Sequence, residues 1–291
     1  MTHKWFHIAK AEFLIQTVSI RRKRWFVLVG FLLLSIVWAV YLAPIVMSAL
    51  ISDLGPDFQL FLMAAHPGFM RSTVFFVWIM ILVTPLSQSL QEIKVSQWEV
   101  MLSHKVSTKD IMIGTFIAKI PVYALIVMFL APLLVSPFAV VFKVSLVGQL
   151  IMYLTLFFVT LGTLWLSNLV STAIQAKLGE SPRGNDIAKA LTYALALLLV
   201  APMYGLMFFA PQLSQIMGTN IFLFFPSTWG ADLATWTVVS FNGIGLSGPI
   251  VAFFESVLGL TAIFDLLFLS IFTLGIIGLA LFSADRVFRI V

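Results

Sequence analysis

The sequence predicts an all-α integral membrane protein: six transmembrane helices, an N-terminal interfacial helix, a short amphipathic cytoplasmic helix, and short helices able to re-enter the membrane between spans five and six. Three observations carry that reading. The 291-residue chain is 61% hydrophobic and 10% charged, whereas soluble domains run about half apolar and about a quarter charged. Its mean hydropathy is +1.07. Lys and Arg concentrate in alternate gaps between the apolar runs, as the positive-inside rule requires.

A spanning helix needs about 20 mostly apolar residues. Six segments qualify, at roughly 25–51, 72–90, 111–136, 144–170, 187–210 and 257–284. The first is bounded by Arg21-Arg22-Lys23-Arg24 and by Ser52-Asp53, and the third carries Pro121 and Pro132. Membrane helices tolerate such prolines when neighbouring helices satisfy the freed carbonyls. The run "IFLFFPSTW" at 221–229 is apolar but too short to cross. No repeat or linker divides the chain, so residues 1–291 read as one membrane domain.

Orientation follows from the basic residues. With the N-terminus inside, the inner gaps hold Lys4, Lys10 and Arg21 to Arg24; Lys94, Lys105, Lys109 and Lys119; Lys177, Arg183 and Lys189; and Arg286 and Arg289. The outer gaps hold only Arg71 and Lys143. Both termini are therefore expected in the cytoplasm of a multi-pass cell-membrane protein. Residues 1–24 place Trp5, Ile8, Ala9, Phe13 and Val18 among Lys4, Lys10, Glu12 and Gln16. That pattern predicts a helix lying in the inner interface, its basic end on anionic headgroups. No cleavable signal peptide is apparent.

Several functions are excluded by what the sequence lacks. There is no cysteine, so no disulfide framework or thiol catalyst exists. The net charge of +5 lies in the gaps between spans and does not point to nucleic acid. The sequence has no Gly-x-x-x-x-Gly-Lys-Ser/Thr loop, no His-Glu-x-x-His pair and no Gly-x-Ser-x-Gly element. His3, His7, His66 and His104 form no cluster with metal-ligand spacing. No metal site, bound cofactor or catalytic residue is expected.

The polar interlude between spans two and three carries the functional signal. On a helix at residues 91–103, Gln91, Lys94, Val95, Trp98, Met101 and Leu102 share one face, and Ser96, Glu99, Val100 and Ser103 point away. The reading is an amphipathic helix with a Trp-Met-Leu knob, suited to docking in a groove or to resting on the membrane. Ser107 at N-cap and Asp110 at N3 predict a capping-box-like start to the third span.

The line Glu99-Val-Met-Leu-Ser-His-Lys-Val-Ser-Thr-Lys-Asp-Ile-Met-Ile-Gly114 resembles the permease subunits of ABC-2-type ATP-driven transporters. Glu99, Met101, Leu102, Val106, Ser107, Asp110, Ile111 and Gly114 fit that family's pattern in order, and Glu92 fits an upstream acidic position. Lys105, Ser96-Gln97 and Thr115 depart from it. The resemblance implies a single ABC-2-type transmembrane domain and a role as an exporter permease for an amphiphilic or hydrophobic substrate. It implies a second permease subunit, identical or paralogous, and separate cytoplasmic ABC ATPase subunits that hold ATP and Mg. Glu92, Trp98, Glu99, Met101, Leu102 and Asp110 are then the ATPase-coupling residues, with Ser107 holding the geometry of this coupling helix. In the outer segment 211–256, Phe225, Pro226 and Trp229 are the candidate outer gate. That segment either dips into the outer leaflet or lies on the surface as an aromatic belt.

Two other functions remain open. The chain can be a non-transporting anchor for a cytoplasmic complex, or a secondary transporter with Asp265 as its proton site. Asp265 is an ionisable residue within span six, either a polar point on the pathway or a carboxyl near the outer headgroups. A span starting near 257 puts it about two turns down, which favours the headgroups, with the carboxyl protonated or hydrogen-bonded to a neighbouring helix.

Overall fold

The computed structural model describes residues 4–91, 106–179, 223–246, 248–258 and 261–287, with a few helical positions between 186 and 197. The described residues are helical, with no strand. In chain order the helices are α1 (Lys4–Gln16), α2 (Arg24–Val37), α3 (Ala43–Leu54), α4 (Pro56–Gln91), α5 (Thr108–Val141), α6 (Leu146–Gly179), α7 (Pro226–Phe241), α8 (Gly248–Leu258) and α9 (Ala262–Val287). Five helical tracts are long and apolar enough to cross a membrane: Ile20–Leu54, Pro56–Thr84, Thr108–Val141, Leu146–Ile174 and Gly248–Ala284. The chain is a multi-pass membrane protein. The expected fifth span, 187–210, lies almost entirely outside the described residues.

The first crossing is not a uniform helix. Trp38–Leu42 forms a π-helical turn between α2 and α3, in which the Ala43 N–H reaches back to the Trp38 carbonyl. Pro44 causes the irregularity. Continued in this wider register, the Ala39 carbonyl would require an N–H from residue 44, and proline has none. The Tyr153 hydroxyl of α6 reaches that carbonyl at 3.4 Å. Nearby, Trp38 stacks on Phe129 and donates its indole N–H to the Phe129 carbonyl at 3.0 Å. That carbonyl lies next to the Met128 carbonyl, whose helical N–H partner Pro132 removes. Neighbouring helices thus satisfy backbone groups beside both prolines.

The second crossing begins far earlier than its apolar run suggests. Span two was expected at 72–90, with an outer gap before it, but α4 starts at Pro56. Gly55 at φ 84° makes the break from α3, and Pro56 opens the new helix in the position that needs no N–H. Arg71 therefore stands inside a helix and not in an outer gap. At 36 residues, α4 is about 54 Å long, longer than a bilayer is thick.

A tight turn joins α5 to α6. Lys143 takes a left-handed conformation, φ 50°, while the Val144 N–H bonds the Ala139 carbonyl and the Lys143 N–H bonds Val140. This is a Schellman C-cap with lysine in the usual glycine position. The end of α7 is sutured to the same turn, since Ser145 N–H donates to Phe241 and Gly243 N–H to Phe142.

Part of the segment 211–256, expected either to dip into the outer leaflet or to lie on the surface, forms helix α7. Residues 226–241 pack against α4, α6 and α9, with Ala231, Ala234 and Val238 fully buried. Gly230 permits the approach to α6, because a Cβ there would collide with Val159. The N-terminal helix differs from expectation. Ile8 and Ala9 are buried against α5 rather than lipid, while Phe6, Leu14 and Ile15 remain exposed. Gly114 makes that crossing possible: a Cβ would lie 2.7 Å from the Ile8 Cβ and 2.9 Å from the Trp5 carbonyl oxygen. A backbone oxygen cannot step aside, so a larger residue must displace the whole of α1.

Gly114→Val should pry α1 from α5, at an overpacking cost of about 1–3 kcal/mol. The natural absence of cysteine makes this measurable. A single Ala9→Cys probe should resist maleimide in the parent and label several-fold faster with Gly114→Val; equal labelling would contradict the close crossing.

Candidate functional site

The highest concentration of buried chemistry is a charge cluster between α4, α7, α8 and α9. Arg71 and Asp232 are 1% and 0% exposed. Arg71 Nε donates to Asp232 Oδ1 and Nη2 to Asp232 Oδ2, both at 2.6 Å. The same Nη2 donates to the carbonyls of Val257 and Leu258, at 3.1 and 3.3 Å. Those carbonyls belong to the last residues of α8, where the helix dipole is negative. One guanidinium therefore pairs with a carboxylate and caps a helix, using the planar fork that lysine does not have.

Asp265, in the first turn of α9, belongs to the same cluster. It is 0% exposed and interacts electrostatically with Asp232 and Arg71. Neither of its oxygens has a hydrogen-bond partner among the described residues. Its carboxyl is enclosed by protein, and the hydrogen bond expected to a neighbouring helix is absent among the described residues.

His66, five residues before Arg71 on α4, is also fully buried. Its ring lies among Phe138, Phe142 and Phe254, with centroids 4.2, 5.3 and 5.7 Å away. Neither ring nitrogen has a conventional partner among the described residues; the aromatic faces offer only weak acceptors.

The coupling residues divide at the edge of the described structure. Glu92, Trp98, Glu99, Met101 and Leu102 lie outside it. Ser107 is the N-cap of α5, its Oγ accepting from the Asp110 N–H at 3.1 Å and donating to the Asp110 carboxylate at 2.7 Å. The expected cap is present, and Asp110 also complements the positive end of the helix dipole.

The gate candidates sit at the start of α7. Phe225 is its N-cap, Pro226 its first residue, and Trp229 lies within the first turn. Phe225 meets Phe75 and Trp78 edge-on. Trp229 stacks on Phe268 of α9 and donates to the Leu223 carbonyl at 2.6 Å. These aromatic residues wedge the end of α7 between α4 and α9. Beside them, a shallow apolar groove runs between α4, α5 and α6, lined by hydrocarbon residues such as Val77, Ile81, Val127 and Leu156, with Trp78 at its side.

Sequence reading placed Arg71 in an outer gap and gave Asp232 no role. The available signal was the isolation of each charge, Arg71 within "HPGFMRSTVFF" and Asp232 within "PSTWGADLATW". Lone opposite charges in apolar surroundings demand a partner. What was missing was any reason for α7 to enter the bundle.

Arg71→Met and Asp232→Leu should each destabilise the protein by about 3–5 kcal/mol, by leaving one buried charge unpaired. The double variant should be more stable than either single one, as read from unfolding midpoints in detergent. Additive losses would mean that the two charges do not act as a pair. No protein-family model matches the chain, and a search of curated proteins finds no match.

Proposed function

We propose that the chain is the membrane-spanning permease subunit of an ABC-2-type exporter, driven by separate cytoplasmic ATPase subunits that bind ATP and Mg. The observation carrying this reading is the ordered line from Glu99 to Gly114. The geometry around its end supports it. The Ser107–Asp110 cap sets the start of α5, and two turns later Gly114 receives the N-terminal helix. A push on the preceding amphipathic segment would therefore reach α1 and α5 together. Glu92, Trp98, Glu99, Met101 and Leu102 are the proposed docking surface for the ATPase.

The remaining spans fit the same reading. Six crossings with both termini inside are proposed, with 187–210 as the fifth and α7 as a helix that re-enters from the outer side. In α2 and α3 only 11% of the best apolar window is buried, against 44–50% in α4, α5 and α6. That exposed helix is available to lipid and to a second permease subunit. The groove between α4, α5 and α6 suits acyl chains or other apolar portions of an amphiphile. Phe225, Pro226 and Trp229 stand at the end of α7 away from the outer α5–α6 turn, so on this reading they would gate the pathway within the bundle and not at its outer mouth.

The test is co-purification in mild detergent from the protein's own host. A stoichiometric soluble ATPase is expected, stimulated by substrate and released by Trp98→Ala with Leu102→Ala while the spans stay inserted. A chain that purifies alone contradicts the reading. An ATPase partner that no amphiphile stimulates would instead identify a membrane anchor.

A further inference from the structure

Among the described residues, the charge cluster holds two acids, Asp232 and Asp265, beside one base, Arg71. Arg71 is engaged by Asp232 and by the end of α8, while both Asp265 oxygens are buried without donors among the described residues. An ionised carboxylate in that position would be a buried charge with no hydrogen bonds, one of the costliest arrangements in a protein. With both acids ionised the trio carries a net negative charge; one proton makes it neutral.

We propose that Asp265 is a proton-binding site, which carries its proton while Arg71 is held by Asp232 and, once deprotonated, competes with Asp232 for the guanidinium. The Asp265 O–H bond breaks, the proton leaves to water, and the electron pair stays on the carboxylate. Arg71 remains cationic throughout. The charges acting on Asp265 are those of Asp232 on α7 and Arg71 on α4. Helices α5 and α6 also pack on α9; of their charged residues, Lys119 on α5 donates to Asn168 on α6 at 2.9 Å, and none is among the charges acting on Asp265. Because Asp232 and Asp265 stand on different helices, exchange would transfer the Arg71 tether from α7 to α9. The inference is independent of the exporter reading.

Infrared difference spectroscopy on the full chain in liposomes at pH 7 tests it. A protonated-carboxyl band, shifted in heavy water, is expected in the parent and absent from Asp265→Asn. Its absence from the parent would overturn the proposal. So would failure of Asp265→Asn to insert, because a neutral amide should replace a neutral acid without loss. In Asp232→Asn the same band should vanish, as Asp265 ionises to pair with Arg71; a band that persists there would refute the exchange.

Discussion

A guanidinium buried in a helical bundle cannot be left alone, and much of this architecture follows from its needs. Arg71 requires an anion and further acceptors, because an uncompensated buried charge costs a large share of a domain's total stability. Asp232 supplies the anion in bidentate geometry, and the last carbonyls of α8 supply the rest. Those partners can meet only if α7 lies inside the bundle beside α4 and if α8 ends at that depth. A single ion pair therefore constrains three helices. Such a pair is worth less as net stability than as a constraint, since an apolar replacement can do as well energetically.

Helix α7 shows how that constraint is reinforced by ordinary packing. At 16 residues it is about 24 Å long, shorter than the hydrocarbon core of about 30 Å. Its N-terminal end is wedged by Phe225 and Trp229 between aromatic residues of α4 and α9. Its C-terminal end is sutured through Phe241 and Gly243 to the α5–α6 turn. The charge pair lies between the two anchors. Loosening Asp232 would leave α7 fixed mainly at its ends, which is why a second acid within reach of Arg71 bears on how this helix is held.

At the opposite end of the sequence motif, the physics is steric and local. Ser107 accepts the Asp110 N–H at the start of α5 and donates to the Asp110 carboxylate, and Gly114 opens space for the backbone of α1. The two features sit within one short stretch, so the start of α5 and the position of α1 are linked. On the permease reading, this is the part of the bundle through which a cytoplasmic partner would act.

The sequence by itself determined what depends on composition and local order. Apolar runs longer than a bilayer make a multi-pass helical protein, and Ser107 followed by Asp110 makes a helix start, because both are decided within a few turns of chain. The seat for α1 at Gly114 was half legible: the glycine stood in the motif, but its neighbour Ile8 lies more than a hundred residues away. Only the tertiary structure decided that Arg71 belongs to a helix, that Asp232, 161 positions further along the chain, faces it, and that Asp265 is enclosed without a donor among the described residues. Hydropathy treats each of these residues as a local cost and marks it as a boundary. Whether a charge ends a helix or is buried within one depends on a partner from another helix, and a pattern read along one chain segment does not contain that partner.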